Sequence, residues 1–86
     1  IVIILSIVLP VTIIEIIVLV LSIGFVWVAE IFNTTIEKAM DFVSTESDSR
    51  IKVIKDLSAA AVLVAAAAAL VTGCLIFIPK ILACIN

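Results

Sequence analysis

The sequence predicts an all-α membrane protein with three transmembrane helices in a single membrane domain that covers residues 1–86. Of these residues 66% are hydrophobic and only 14% are charged, whereas soluble domains are about half apolar and a quarter charged. A soluble domain of this size buries too little of its surface to hide so many apolar side chains. A soluble globular enzyme, a nucleic-acid-binding protein and a disordered linker are therefore excluded.

Charge and cysteine content narrow the class further. The chain has 5 basic and 7 acidic residues and no histidine, which argues against a polybasic surface anchor and a histidine-based metal site. Cys74 and Cys84 lie about 15 Å apart along one continuous apolar helix, too far for a disulfide. We interpret both as small apolar side chains of a membrane helix.

The first predicted helix covers about residues 1–9 and ends before Pro10. Nine helical residues rise only about 14 Å, half the hydrocarbon thickness of a bilayer. We therefore expect this first span to be truncated at Ile1, with about ten further apolar residues before it.

The second predicted helix covers about residues 12–43, which contain no proline. As one helix it is about 48 Å long, more than the roughly 30 Å hydrocarbon core requires. Apolar residues dominate from Ile16 to Ala29, and polar residues gather after them. This helix should cross the membrane and continue past its surface, with Trp27 as an interface anchor.

Residues 44–52 are rich in turn formers and predict a surface loop. Asp48 or Ser49 is the candidate cap of the next helix. Basic residues cluster around this loop, so the positive-inside rule places it in the cytoplasm. They are Lys38, Arg50, Lys52 and Lys55.

The third predicted helix covers about residues 53–84. Its stretch from Leu57 to Ile78 carries no charge and is long enough to cross a bilayer. Pro79 is expected to end that stretch, and Lys80 to mark the far interface, as Glu15 does on the second helix. An alanine-rich face should let this helix pack closely against neighbours.

Four polar residues recur on one face of the second helix. Glu30, Asn33, Glu37 and Asp41 are three, four and four positions apart and fall within about 80° of one another. Aligned carboxylates repel each other. We therefore expect a cation between them, either a divalent metal or a basic side chain from a neighbouring helix.

In an antiparallel hairpin, Lys55 and Asp56 would face the same membrane interface as Glu37 and Asp41. Oxygen ligands of this kind suit Mg²⁺, which is often shared with substrate phosphates. Phosphoryl transfer requires a metal, a cation on the phosphates and a base that orients the nucleophile. The pattern favours that chemistry.

Glu30 lies deeper than the other carboxylates, near the acyl boundary. A carboxylate at that depth is costly and is a functional candidate, here as a general base on a lipid hydroxyl. The alternative is an interfacial glutamate that pairs with Lys38 and only fixes the depth of the helix.

Two stretches carry a family resemblance. Residues 29–37 (AEIFNTTIE) resemble the A-E-x-x-N-T-A-I-E signature of the prokaryotic diacylglycerol kinase family, and residues 55–63 (KDLSAAAVL) resemble its K-D-x-x-A-x-A-V-L stretch. The resemblance covers about residues 28–80. The ending at residues 76–80 is more similar to the Gram-positive branch, which phosphorylates undecaprenol.

The resemblance implies an ATP-dependent kinase of the bacterial plasma membrane, a homotrimer of three-span chains with its active site at the cytoplasmic face. Its substrate would be undecaprenol or otherwise diacylglycerol. By the same resemblance Glu30 is the catalytic base, Glu37 ligates Mg²⁺, and Asn33 and Asp41 are supporting polar residues. The implied ATP contacts are Glu46, Ser47, Asp48, Lys55 and Asp56.

Two departures from the family pattern keep other functions open. The family loop S-P-E-Y-H is replaced by STESD at residues 44–48, and residues 1–86 do not include the family's N-terminal amphipathic helix, with its second metal carboxylate. One alternative is a non-catalytic membrane adaptor or degenerate kinase relative. A less favoured one is a proteolipid-type ion-translocating hairpin, since only 2 glycines occur and the acids gather at a boundary.

Overall fold

The computed structural model describes residues 1–43 and 48–85, and the regular secondary structure of these residues is entirely α-helical. Helix α1 covers Val2–Val8, α2 covers Ile13–Val43 and α3 covers Ser49–Ile85. The two long helices pack side by side as an antiparallel hairpin. The molecule is therefore a rod, 58 Å long and 19 by 17 Å across.

The hairpin is held by a seam whose residues alternate three and four positions apart on α2 and on α3 as far as Thr72, after which α3 has adjacent pairs at 72–73 and 76–77. This is the spacing of side chains that interlock between two long, nearly antiparallel helices. The buried or half-buried residues of α2 are Glu15, Leu19, Ser22, Val26, Ala29, Asn33, Ile36 and Met40. Those of α3 are Ile51, Lys55, Ser58, Val62, Ala65, Ala69, Thr72, Gly73, Ile76, Phe77 and Lys80.

A small apolar core lies where the three helices meet. Leu9, Leu19 and Phe77 are buried there, and Leu5 and Ile76 pack against them. Outside this core most large apolar side chains are exposed. Exposed apolar surface on this scale is what lipid tails or neighbouring membrane helices cover.

Two of the three expected spans are long enough to cross a membrane. Helices α2 and α3 qualify by length and composition. Helix α1 has seven residues that rise about 10 Å, less than the hydrocarbon thickness of a bilayer.

The third helix begins at Ser49, four residues before its predicted start, so the loop prediction was wrong for residues 49–52. The reason is a cap: Asp48 Oδ1 accepts a hydrogen bond from the Arg50 backbone N–H at 2.8 Å, and Asp48 O accepts one from Lys52 N at 3.0 Å. The hydrogen bond from the Arg50 side chain to Asp48 holds the pKa of this carboxyl below its usual range. Residues 44–47 of the predicted loop lie outside the described residues.

The charge-free apolar run ends at Pro79, but α3 continues through it to Ile85, close to the predicted helix end at residue 84. A proline removes one backbone hydrogen bond, but membrane helices tolerate this interruption. The continuation brings the Lys80 ammonium to the start of α2. There Lys80 Nζ lies 2.9 Å from Glu15 Oε1 and donates a hydrogen bond to Pro10 O, also at 2.9 Å.

The start of α2 is fixed by a reciprocal cap. Thr12 N donates to Glu15 Oε1 at 3.0 Å, and Glu15 N donates to Thr12 Oγ1 at 3.2 Å. The T-x-x-E pattern at residues 12–15 is the sequence form of such a capping box. Glu15 therefore anchors the helix start and binds Lys80 of α3 with the same carboxylate.

Candidate functional site

The structure divides the predicted polar face of α2. Glu30, Glu37 and Asp41 are exposed, whereas Asn33 is half-buried in the seam against α3. The division follows from helix geometry, because Glu37 and Asp41 lie within about 20° of Glu30 and Asn33 lies about 60° away, towards the seam. The three carboxylates form an exposed acidic stripe (Glu30, Glu37 and Asp41), with the amide at its buried edge.

Asn33 has a buried amide oxygen that lacks a hydrogen-bond partner within residues 1–43 and 48–85. Its neighbours along the seam are Ala29 and Ile36, which are apolar. Leaving a buried acceptor without a partner costs about 1 to 3 kcal/mol. Packing alone therefore does not account for an asparagine at this position.

Lys55 reaches the acidic stripe from α3. Its Nζ lies 2.6 Å from Asp41 Oδ1, near the connection between the two helices. The Asp41 side chain is 66% exposed and that of Lys55 35% exposed, and exposed ion pairs contribute only about 0 to 1 kcal/mol to stability. The contact matters more for where it holds the ammonium than for the stability of the fold.

Glu30 opens into a shallow pocket of about 420 Å³ on the side of α2 that faces away from α3. Trp27, Ile31, Thr34 and Thr35 line it with Glu30. Thr35 Oγ1 already donates to Ile31 O at 2.9 Å, so its hydroxyl is engaged with the helix. The pocket combines a carboxylate and a second hydroxyl, that of Thr34, with an apolar wall, which suits the alcohol end of a lipid.

The role of Thr34 and the pocket that Trp27 lines were not predicted from the sequence. The available signal was helical spacing, since positions 27, 30, 31 and 34 follow the i, i+3, i+4, i+7 pattern of one helix face. The interpretation of the kinase signature rested on the charged residues of this face. The hydroxyl group and the aromatic ring were not considered with them.

The structure describes only some of the residues that are predicted to contact the nucleotide. Glu46 and Ser47 lie outside the described residues. Asp48 caps α3 and pairs with Arg50, whose Nη2 lies 3.1 Å from Asp48 Oδ2. Asp56 is exposed on α3 next to Lys55, so a lysine and a carboxylate are adjacent at the connected end of the hairpin.

Glu37 is the predicted metal ligand. Among residues 1–43 and 48–85, no three histidine, cysteine or acidic side chains converge as a metal site. Mg²⁺ is commonly bound by one or two carboxylates, with water and substrate phosphates as its other ligands. The exposed Glu37 fits that donor set as a single ligand.

Comparison with known proteins identifies the group to which these features belong. The sequence model of the family described as prokaryotic diacylglycerol kinase matches residues 1–77. The chain is also 37% identical, over 70 residues, to the undecaprenol kinase of Bacillus subtilis (strain 168). That alignment covers 81% of this chain and 57% of the relative, so the chain spans little more than half the relative's length. No solved structure matches significantly.

Proposed function

Because the chain belongs to the prokaryotic diacylglycerol kinase family, we propose that it transfers the γ-phosphate of ATP to the hydroxyl group of a membrane lipid. The observation that carries the proposal is the meeting of the acidic stripe with Lys55 at 2.6 Å, at one end of two helices long enough to cross a membrane. We propose undecaprenol as the lipid, since the relative is an undecaprenol kinase; diacylglycerol is the second candidate.

Glu30 is the proposed general base. Its carboxylate lies in the pocket with Trp27 and Thr34, where a lipid alcohol can approach along the helix. In the proposed step Glu30 accepts the hydroxyl proton while the lipid oxygen attacks the γ-phosphorus. The bond from that phosphorus to the bridging oxygen breaks, and ADP leaves with the electron pair. A positioned base contributes typically about 10²- to 10⁴-fold to such a rate.

Lys55 is the proposed cation for the phosphates of ATP that lie furthest from Glu30, because Asp41 is about 16 Å from Glu30 along the helix axis. An ammonium has three donors, so Lys55 can keep one hydrogen bond to Asp41 while it binds phosphate oxygens. Asp41 would thereby hold the lysine at the mouth of the site before ATP arrives. Glu37 would hold Mg²⁺, which when bound neutralises phosphate charge, and Asp56 would lie beside the nucleotide.

We also propose that the site is shared between chains of a homotrimer in the bacterial plasma membrane, with the active site on the cytoplasmic side. The single metal-ligating carboxylate supports this assembly, because further ligands must come from substrate or from neighbouring subunits. Broad exposed apolar faces on α2 and α3 supply surface for helix packing in lipid. The basic residues near the connection between α2 and α3 support the orientation.

The direct test is ATP-dependent phosphorylation by the full-length protein in mixed micelles that contain undecaprenol or diacylglycerol. Glu30→Gln keeps the size of the side chain and removes the base, so turnover should fall by about 10²-fold or more. Helix content and elution volume should be unchanged, which separates loss of chemistry from loss of fold.

Full activity of folded Glu30→Gln would contradict the role of Glu30. Failure of the folded wild type to phosphorylate either lipid would overturn the kinase proposal and favour a non-catalytic membrane adaptor.

A further inference from the structure

We infer that the Thr34 hydroxyl holds the oxygen of the acceptor alcohol next to Glu30, so that Thr34 is a second substrate-binding residue of the proposed reaction. This inference rests on the proposed kinase function and concerns the same pocket. It holds for either candidate lipid, since both present an alcohol. The alcohol would then be fixed by two groups, a carboxylate that accepts its proton and a hydroxyl that donates to its oxygen.

Two adjacent threonines line the pocket of about 420 Å³ beside Glu30, and their hydroxyl groups are differently engaged. Thr35 Oγ1 donates to Ile31 O at 2.9 Å, the usual bond from a helical threonine to the carbonyl four residues earlier. Thr34 is exposed, and its hydroxyl makes no such bond within the part of the chain that the structure describes. Its donor is therefore available to a ligand in the pocket.

Hydroxyl groups elsewhere in the two long helices show the bond that Thr34 lacks. Ser22 Oγ donates to Val18 O and Thr72 Oγ1 donates to Ala68 O, both at 2.8 Å. This bond satisfies a hydroxyl in an apolar environment, where an unpaired polar group is costly. Thr34 departs from the pattern in a pocket that also holds a carboxylate, which indicates a partner supplied by a ligand.

Helix geometry places the Thr34 side chain beside the Glu30 carboxylate. The two residues are four positions apart, about 40° around the helix and about 6 Å along its axis. Side chains of a helix lean towards its N-terminus, so the Thr34 hydroxyl leans towards the turn of Glu30. An alcohol oxygen between the two side chains can therefore contact both.

The position of Thr34 also fits the direction of transfer. Along the axis of α2, Thr34 lies between the proposed base Glu30 and the proposed metal ligand Glu37, about 4.5 Å from Glu37. The γ-phosphate approaches from the Glu37 side in the proposed reaction, so it must meet the alcohol close to Thr34. Because the hydroxyl leans towards Glu30, we assign it to the alcohol and not to the phosphate.

In the proposed step Thr34 keeps its own proton. The alcohol oxygen has two lone pairs. One accepts the hydrogen bond from Thr34 and the other forms the bond to the γ-phosphorus, while the alcohol proton passes to Glu30. Thr34 thus fixes the direction of the attacking lone pair, and a hydrogen bond of this kind contributes about tenfold to the rate.

The test replaces Thr34 by valine, which has nearly the same shape and no hydroxyl. The full-length protein is assayed in mixed micelles for kcat/KM with the lipid alcohol and for the KM for ATP. Thr34→Val should lower kcat/KM for the lipid about tenfold and leave the KM for ATP unchanged. Thr34→Ser keeps the hydroxyl and should stay within about threefold of the wild type.

Two matched variants make the same substitution at other threonines. Thr72→Val removes a hydroxyl that is bonded to its own helix outside the pocket, and it should leave both quantities unchanged. Thr35→Val removes the neighbouring hydroxyl, which is already engaged with Ile31 O, and should cost less than Thr34→Val. If Thr34→Val does not fold, Thr34→Ala tests the same loss, since alanine favours the helix most strongly.

Unchanged kcat/KM in folded Thr34→Val would overturn the inference, as would equal losses in Thr34→Val and Thr35→Val. A higher KM for ATP in Thr34→Val would assign the hydroxyl to the phosphate, and an equal loss in Thr34→Ser would indicate side-chain shape; either result also overturns it. These outcomes leave the kinase proposal intact, because the wild type stays active. A folded wild type that phosphorylates neither lipid would overturn both proposals.

Discussion

The two ends of the α2–α3 hairpin carry the same pair of chemical groups in different surroundings. At each end a carboxylate of α2 meets a lysine of α3: Glu15 with Lys80 at 2.9 Å, and Asp41 with Lys55 at 2.6 Å. The first pair is 26% and 19% exposed in its side chains. The second is 66% and 35% exposed, so solvent and ligands have freer access to it.

The hydrogen bonds of the two pairs differ as well. Glu15 also accepts from Thr12 and Lys80 also donates to Pro10 O, so both groups are tied to the backbone around them. Within the described part of the chain, the hydrogen bond recorded for Asp41 is the one to Lys55. The difference indicates a structural clamp at the Glu15 end and a lysine with donors to spare at the Asp41 end.

The strongest test of the difference between the two ends is to replace each lysine in turn. Lys55→Met should lower lipid phosphorylation by about 10²-fold or more, because a phosphate-binding cation is lost from the transition state. Lys80→Met should leave the activity per folded molecule near that of the wild type. The measurement is turnover normalised to the amount of folded protein, and equal losses would contradict the division of roles.

For thermal stability we expect the opposite order, with a larger effect of Lys80→Met than of Lys55→Met. Lys80→Met leaves Glu15 without its half-buried partner and frees Pro10 O, so the thermal midpoint in detergent should fall by several degrees. Lys55→Met removes an exposed pair and should shift the midpoint by much less. A larger shift for Lys55→Met would show that the Asp41 end, not the clamp, holds the hairpin together.

Removing the cap at the start of α2 tests whether this cap contributes to the structural clamp. Thr12→Ala deletes the hydroxyl that accepts from Glu15 N at 3.2 Å and should cost about 1 kcal/mol. Thr35→Ala is a matched control, since that hydroxyl donates only within its own helix. Comparable losses of unfolding free energy in both variants would argue that the capping box contributes little.

The smallest expected effect concerns the cap of α3. Because the Arg50 side chain lowers the pKa of Asp48 in the folded state, this group stabilises the fold above its unfolded pKa. That contribution disappears as the pH falls through the lower, folded-state pKa. The midpoint difference between wild type and Asp48→Asn should therefore be constant near neutral pH and shrink in acid. A difference that grows in acid would contradict the sign.

Much of this molecule could be predicted from the sequence. The charge-free stretch after Leu57 and the long apolar run before Glu30 predict the two long helices by length alone, since a bilayer fixes that length. The expectation that an antiparallel hairpin places Lys55 beside Asp41 is confirmed by their contact. The family resemblance is confirmed by the match over residues 1–77.

The sequence was less informative where a tertiary contact competes with a local rule. Asn33 shares a spacing pattern with Glu30, yet an 80° stripe is wide enough to straddle the edge of a helix interface. Which side of that edge each residue occupies depends on the position of α3. The spacing of residues along α2 does not give that position.

The central claim is that the Asp41 end of the hairpin is a lipid kinase site and the Glu15 end is a structural clamp. The most direct measurement is transfer of labelled γ-phosphate to undecaprenol by full-length wild type, Glu30→Gln and Lys80→Met, each normalised to folded protein in the same micelles. We predict that Glu30→Gln loses about 10²-fold or more while Lys80→Met stays near the wild type. Retained transfer in Glu30→Gln, or an equal loss in Lys80→Met, would contradict the account.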